Sequence, residues 1–101
     1  MIPDKKLRIK AEQVWDNVPR DSPLFEQDGK WTLVGWLRRL FLYGDNAAGP
    51  KDYKDYDRAV NSLTKAAKIS KYDCLYDLEE SVDAVTAATL LNKVIKEMTD
   101  V

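Results

Sequence analysis

The pattern of apolar and polar positions predicts helices with one apolar face, and it is strongest between Trp31 and Tyr43. This segment holds two of the three tryptophans and the second of the two phenylalanines. At about 100° per residue, most of its large apolar side chains fall within one half of a helix surface. The positions assigned to the core are Val34, Trp36, Leu37, Leu40 and Phe41. We therefore predict a central core helix over 31–43, ended by Gly44 as a left-handed C-cap.

Apolar residues recur at helical spacing in three other stretches of the chain. They predict a first helix over about 4–17, a third over about 52–69 and a last over about 84–98. Ser81 or Asp83 is expected to cap the last helix. The inner face of the last helix is expected to comprise Ala84, Ala87, Ala88, Leu91, Val94, Ile95 and Met98. The fold class is therefore all-α, a small bundle of about four helices with irregular connectors.

The connector before the central helix admits two interpretations. Residues 18–30 contain two prolines and the Asp28-Gly29 pair, which is typical of turns. A loop is favoured, because the apolar positions after Trp31 keep helical spacing. The alternative is a short β-hairpin over 24–33, closed by the same Asp-Gly pair.

Length and charge limit the class of protein. The 101 residues correspond to one domain, 1–101, that can bury a core without disulfides or metal. The net charge of −1, from 16 basic and 17 acidic residues, gives no overall field that would attract nucleic acid or a membrane. The apolar segment 31–43 is too short, and with two arginines too charged, to cross a bilayer. Since the N-terminus has no signal-peptide pattern, a cytoplasmic location is expected.

The residue types that most enzymes use for catalysis are scarce. The chain has no histidine and a single cysteine, Cys74. It therefore lacks the commonest general base, the histidine-activated nucleophiles and multi-cysteine zinc sites. The four glycines are scattered, so there is no glycine-rich phosphate loop. We expect no catalytic residue, no metal site and no cofactor, and hence no enzyme.

Three groups of residues are candidates for binding. The first lies outside the core half of the central helix and comprises Trp31, Arg38, Arg39 and Leu42. The second is an acidic surface of Asp77, Glu79, Glu80 and Asp83. The third is a stripe on the third helix, opposite its core face, of Arg58, Lys65, Lys68 and Tyr72. Aromatic and arginine side chains anchor protein interfaces, and a basic stripe is typical of a nucleic-acid recognition helix. On the alternative interpretation the aromatics wall a small core, and the charges serve helix ends and solvated faces.

The segment 31–37, Trp-Thr-Leu-Val-Gly-Trp-Leu, resembles the Trp-Cys-x-x-Gly-Ala-Leu segment of a family of small uncharacterised helical domains in phages and actinobacteria. Tyr76-Asp77, followed by a capped terminal helix, resembles a second block of that family. Here Thr32 stands in place of the cysteine and Trp36 in place of a small residue. The packing of this helix is therefore expected to differ from that in the family. The resemblance implies an α-helical fold and a phage or mobile-element origin, and it supplies no catalytic residue.

These observations favour a non-enzymatic protein–protein interaction domain. We expect a phage or mobile-element accessory protein that binds and modulates or inhibits a host protein, such as a component of a defence system. Self-association through the same patch, giving a homo-oligomer, is the simplest variant. The alternative is a small nucleic-acid-binding regulator that uses Arg58, Lys65 and Lys68, which the near-zero net charge disfavours.

Overall fold

The computed structural model describes residues 3, 6–16, 26–43, 50–68, 78–79 and 81–99. The elements in these ranges are a 3₁₀ turn (Ala11–Gln13), strands β1 (Glu26–Gln27) and β2 (Lys30–Trp31), helix α1 (Leu33–Arg38), a π-helical turn (Arg39–Tyr43), helix α2 (Pro50–Ala67) and helix α3 (Ala84–Thr99). The described part of the chain is thus mostly helical, as the sequence predicts. It contains three α-helices, where the sequence predicts about four.

Helix α3 follows the sequence pattern closely. The carboxylate of Asp83 accepts a hydrogen bond of 2.7 Å from the N–H of Thr86, which confirms Asp83 as the N-cap. The buried residues of α3 are Ala87, Ala88, Leu90, Leu91, Val94, Ile95 and Met98. All but Leu90 belong to the expected inner face, and Ala84 is half-buried. This face of α3 packs against α1 and α2, so α3 forms one side of the core.

The central helix starts later than expected and changes geometry before it ends. Thr32 is the N-cap of α1, and at Arg39 the α-helix gives way to the π-helical turn. The expected core residues Val34, Trp36, Leu37, Leu40 and Phe41 are all buried. Because a π-helical turn closes i to i+5 hydrogen bonds, each of its residues advances by a smaller angle than in an α-helix. The smaller angle turns Leu42 inward, and the residue is 5% exposed. The α-helical pattern instead places Leu42 beside Arg39, outside the core half of the helix.

The helix expected over 4–17 is not present in the described part of that stretch, which forms extended chain around the single 3₁₀ turn. Hydrogen bonds to distant residues hold its backbone instead. Asn92 of α3 accepts from the N–H of Ile9 at 2.7 Å and donates to its C=O at 3.0 Å. The N–H of Trp15 donates to the C=O of Trp31 at 2.9 Å. These tertiary partners override the local helical spacing.

The described end of the connector, from Glu26 onward, forms a short β-hairpin, so the preferred prediction of a loop is wrong there. β1 pairs with β2 in antiparallel register on either side of Asp28 and Gly29. Asp28 and Gly29 have φ values of 54° and 81°. Two positive φ angles in a two-residue connection are the mark of a type I′ turn, for which Asp-Gly is a preferred pair. The hairpin delivers Trp31 to the start of α1.

Helix α2 occupies nearly the stretch predicted for the third helix. It begins at Pro50, whose missing N–H suits the first turn, and it ends at Ala67. Lys68 follows with a φ of 60°, and its N–H donates to the C=O of Lys65 at 3.1 Å. Within the described ranges, none of the three α-helices combines the length and the apolar character that a membrane crossing requires.

We expect Lys68→Gly to stabilise the protein, because Lys68 adopts a left-handed conformation that strains any residue with a Cβ. Relief of this strain, roughly 1–2 kcal/mol, outweighs the extra entropy that glycine loses, so the free energy of unfolding should rise by about 0.5 kcal/mol. Lys65→Gly, inside the helix, is the matched control and should lower it by about 1 kcal/mol. Urea denaturation measures both. A decrease for Lys68→Gly would contradict the assignment of the helix end.

Candidate functional site

The first turn of α1 is buried, and the backbone N–H groups of Val34, Gly35 and Trp36 have acceptors inside the protein. Thr32 is 0% exposed, and its Oγ1 accepts from the N–H of Gly35 at 3.0 Å. The C=O of Thr32 accepts from the N–H of Trp36 at 2.8 Å. Oε2 of Glu79 accepts from the N–H of Val34 at 3.1 Å. A carboxylate at this end of a helix is also favoured by the helix dipole. These bonds fix the position of α1, and with it the positions of the indoles on either side of Thr32.

Two indole rings are placed by the hairpin, by α1 and by the N-terminal segment. The indole N–H of Trp36 donates to the C=O of Gln13 at 3.0 Å, and Trp36 is 6% exposed. Trp31 is half-buried, and its backbone is bonded to that of Trp15. The centroids of the Trp31 and Trp36 rings are 6.4 Å apart, with planes inclined by 53°. This geometry lies in the range of favourable aromatic pairs.

Arg39 lies against both rings. Its Cζ is 5.0 Å from the ring centroid of Trp31 and 5.1 Å from that of Trp36, which is cation–π distance. The residue as a whole is exposed. An arginine side chain is therefore held in contact with two rings at the protein surface, where its planar group of N–H donors is accessible. We refer to Trp31, Trp36 and Arg39 as the Trp–Arg cluster.

The interaction patch predicted on the central helix is assembled only in part. Trp31 and Arg39 lie together in the Trp–Arg cluster, and Arg38 is half-buried. Leu42 is buried by the π-helical turn, so its assignment to an exposed patch is wrong. From the sequence, Trp36 is expected in the core alone, and its contact with Arg39 is not expected. The contact could be expected from the spacing, because Trp36 and Arg39 are three residues apart and such residues are neighbours on a helix surface.

The acidic surface predicted around Asp83 is not found among the described residues. Glu79 is 7% exposed and bonded to α1, so its assignment to an exposed surface is wrong. Asp83 is exposed, but its carboxylate caps α3, and the hydrogen bonds from Thr86 lower its pKa. Asp77 and Glu80 lie outside the described residues.

The basic stripe predicted for nucleic acid is exposed where the structure describes it. Arg58, Lys65 and Lys68 are all exposed, and Tyr72 lies outside the described residues. Arg58 and Lys65 line a shallow cavity of about 330 Å³ that Glu97 of α3 also lines. A carboxylate beside these two cations weakens the positive potential that would attract a phosphate backbone.

Comparisons with known proteins found no relative: no family model, no curated protein and no solved structure matches the chain. Within the residues that the structure describes, no group of three or more His, Cys, Asp or Glu side chains could hold a metal ion. Cys74 lies outside those residues.

Burial raises the pKa of Glu79 above its usual value of 4.5, and the hydrogen bonds from Val34 and Thr32 oppose this shift. The folded state then holds the proton more tightly than the unfolded state. The resulting stability is fully present below pH 4.5 and is lost as the pH rises through the folded pKa. The difference in unfolding free energy between the wild type and Glu79→Gln (wild type minus variant) should therefore decrease as the pH rises from 4.5 through the folded-state pKa. Urea denaturation across the pH range measures it.

Two further variants make this test specific. Glu79→Ala removes the acceptor of a buried backbone N–H, so it should destabilise the protein by about 1–3 kcal/mol even where Glu79→Gln does not. Glu12→Gln, at an exposed position of the 3₁₀ turn, is the control for loss of a carboxylate. A difference between wild type and Glu79→Gln that stays flat or increases with pH would rule out the buried cap.

Proposed function

We propose that this protein is a non-enzymatic interaction domain that binds a host protein through the Trp–Arg cluster and modulates or inhibits it. The observation that carries the proposal is the position of the exposed Arg39 across the rings of Trp31 and Trp36. Tryptophan and arginine are among the residues in which the binding energy of protein interfaces concentrates. The resemblance of segment 31–37 to helical domains of phages and actinobacteria supports a phage or mobile-element origin.

Preorganisation supports a binding role for Arg39. Immobilising a flexible surface side chain on binding costs about 0.5–1.5 kcal/mol, which a partner contact must offset. Contact with two rings restricts Arg39 before any partner arrives, so this loss is reduced. The backbone beneath it is also fixed, because Trp36 is bonded to Gln13 and the start of α1 is capped by Glu79.

The chemistry of the cluster defines the kind of partner. A guanidinium that lies over aromatic rings can still pair with a carboxylate through two of its N–H groups. The half-buried Trp31 offers apolar surface beside it. We therefore expect a partner surface with an aspartate or glutamate next to an apolar side chain. Self-association through the same cluster is the variant that needs no second protein.

Nucleic-acid binding through Arg58, Lys65 and Lys68 is the second candidate. The exposure of all three cations favours it. Glu97 in the same cavity as Arg58 and Lys65 counts against it, as does the net charge of −1. The Trp–Arg cluster is therefore the better supported surface.

We expect Arg39→Ala to prevent partner capture and to leave the fold intact. The tagged protein serves as bait in cells of its native host, and co-purified proteins are quantified by mass spectrometry. At least one protein should be depleted about 30-fold, since truncating a central anchor costs about 2 kcal/mol or more. Trp31→Ala should deplete the same protein. For self-association, sedimentation should show the oligomer of the wild type reduced to monomer.

Arg58→Ala is the matched control, because it removes an exposed arginine from α2 and leaves the Trp–Arg cluster unchanged. Arg39→Lys keeps the charge but loses the planar, bidentate group, so it should behave like Arg39→Ala. Circular dichroism and urea denaturation establish that each variant is folded. An unchanged set of co-purified proteins and an unchanged oligomeric state in Arg39→Ala would disprove the proposal. Nucleic acid captured by Arg39→Ala and lost from Arg58→Ala would favour the alternative.

A further inference from the structure

A second charged feature lies between the N-terminal segment and α3. Arg8, Lys93 and Lys96 line an open groove of about 290 Å³, together with Thr89 and Asn92. All three cations are exposed, and no carboxylate is among the described residues that line the groove. An anion in the groove would be attracted by all three cations. The groove therefore has the charge of an anion site.

The two sides of the groove are fixed relative to each other. The amide of Asn92 bonds to both backbone polar groups of Ile9, at 2.7 and 3.0 Å. Ile9 is buried and directly follows Arg8, so the chain that carries Arg8 is attached to the helix that carries the lysines. The guanidinium of Arg8 also donates to the C=O of Leu7 at 2.8 Å, which orients it. These contacts fix the backbone positions from which the three cationic side chains extend.

Ordinary helix-end electrostatics does not account for this arrangement. A cation in the last turn of a helix is stabilised by the helix dipole, and this effect falls off within that turn. Lys96 is in the last turn of α3. Lys93 is one turn earlier, and Arg8 belongs to no helix. The dipole therefore explains one of the three cations.

We infer that this groove binds the phosphate group of a small phosphorylated molecule. An arginine can hold a phosphate in bidentate fashion, and two lysines add point charges. The Thr89 hydroxyl donates to the C=O of Val85 at 2.9 Å, so its oxygen is left to accept from a ligand hydroxyl. The volume lies at the lower end of the range for ligand pockets, which suits a phosphate with one further ring. This site shares no residue with the Trp–Arg cluster.

The test is a titration with pyrophosphate, followed by amide shifts in two-dimensional NMR at about 0.15 M salt, where diffuse surface attraction is screened. We expect saturable shifts confined to residues 7–9 and 89–96. The double variant K93Q/K96Q should weaken binding at least tenfold. The double variant K65Q/K68Q is the matched control, with the same spacing near the end of α2, and it should bind as the wild type does.

Three results would overturn the inference. One is a titration that does not saturate, or that shifts residues beside exposed lysines throughout the protein. Another is equal weakening in the two double variants, which would mean diffuse attraction to charge. The third is a short DNA duplex that displaces pyrophosphate at the same salt and loses affinity in both double variants, since that would assign the cations to a nucleic-acid surface.

Discussion

The structure depends on one constraint, the burial of the first turn of α1. The first backbone N–H groups of a helix have no partner within the helix, so a buried helix start must find acceptors elsewhere. The side chain of Thr32 supplies the acceptor for Gly35, and Glu79 supplies the acceptor for Val34. Glu79 lies 45 residues away in the sequence from Val34, so this cap joins the start of α1 to the segment that precedes α3. The burial that raises the pKa of Glu79 is the same burial that makes the cap necessary.

The Trp–Arg cluster follows from this fixed starting point. Thr32 separates the hairpin, which carries Trp31, from α1, which carries Trp36 and leads into Arg39. The hairpin turn and the indole hydrogen bond to Gln13 set the two rings at an angle, and Arg39 lies across both. The same N-terminal segment, attached to α3 through Asn92, places Arg8 beside the lysines of the second groove. Two separate surfaces are thus organised by a segment with almost no regular secondary structure.

The sequence predicts what local spacing determines. The Asp83 cap and the inner face of α3 depend on neighbours within two turns, and they are confirmed. The prediction that Leu42 is exposed is wrong because a π-helical turn changes the angle between successive residues. An α-helical wheel assumes one constant angle and therefore does not include this change. The first helix and the exposure of Glu79 are mispredicted because their partners are distant in sequence. The Asp28-Gly29 pair indicates a hairpin, but the helical spacing of the apolar positions after Trp31 favours a loop, and that preference is wrong.

The order of the Arg39 side chain in solution tests the central claim, that the cluster holds an arginine ready for binding. Nitrogen-15 relaxation at the Arg39 Nε should give an order parameter near the rigid-backbone value of about 0.85, and its side-chain protons should show upfield ring-current shifts. Arg58, exposed on α2, should give a value below about 0.6 and ordinary shifts. Equal mobility of Arg39 and Arg58, with unshifted Arg39 protons, would contradict the account.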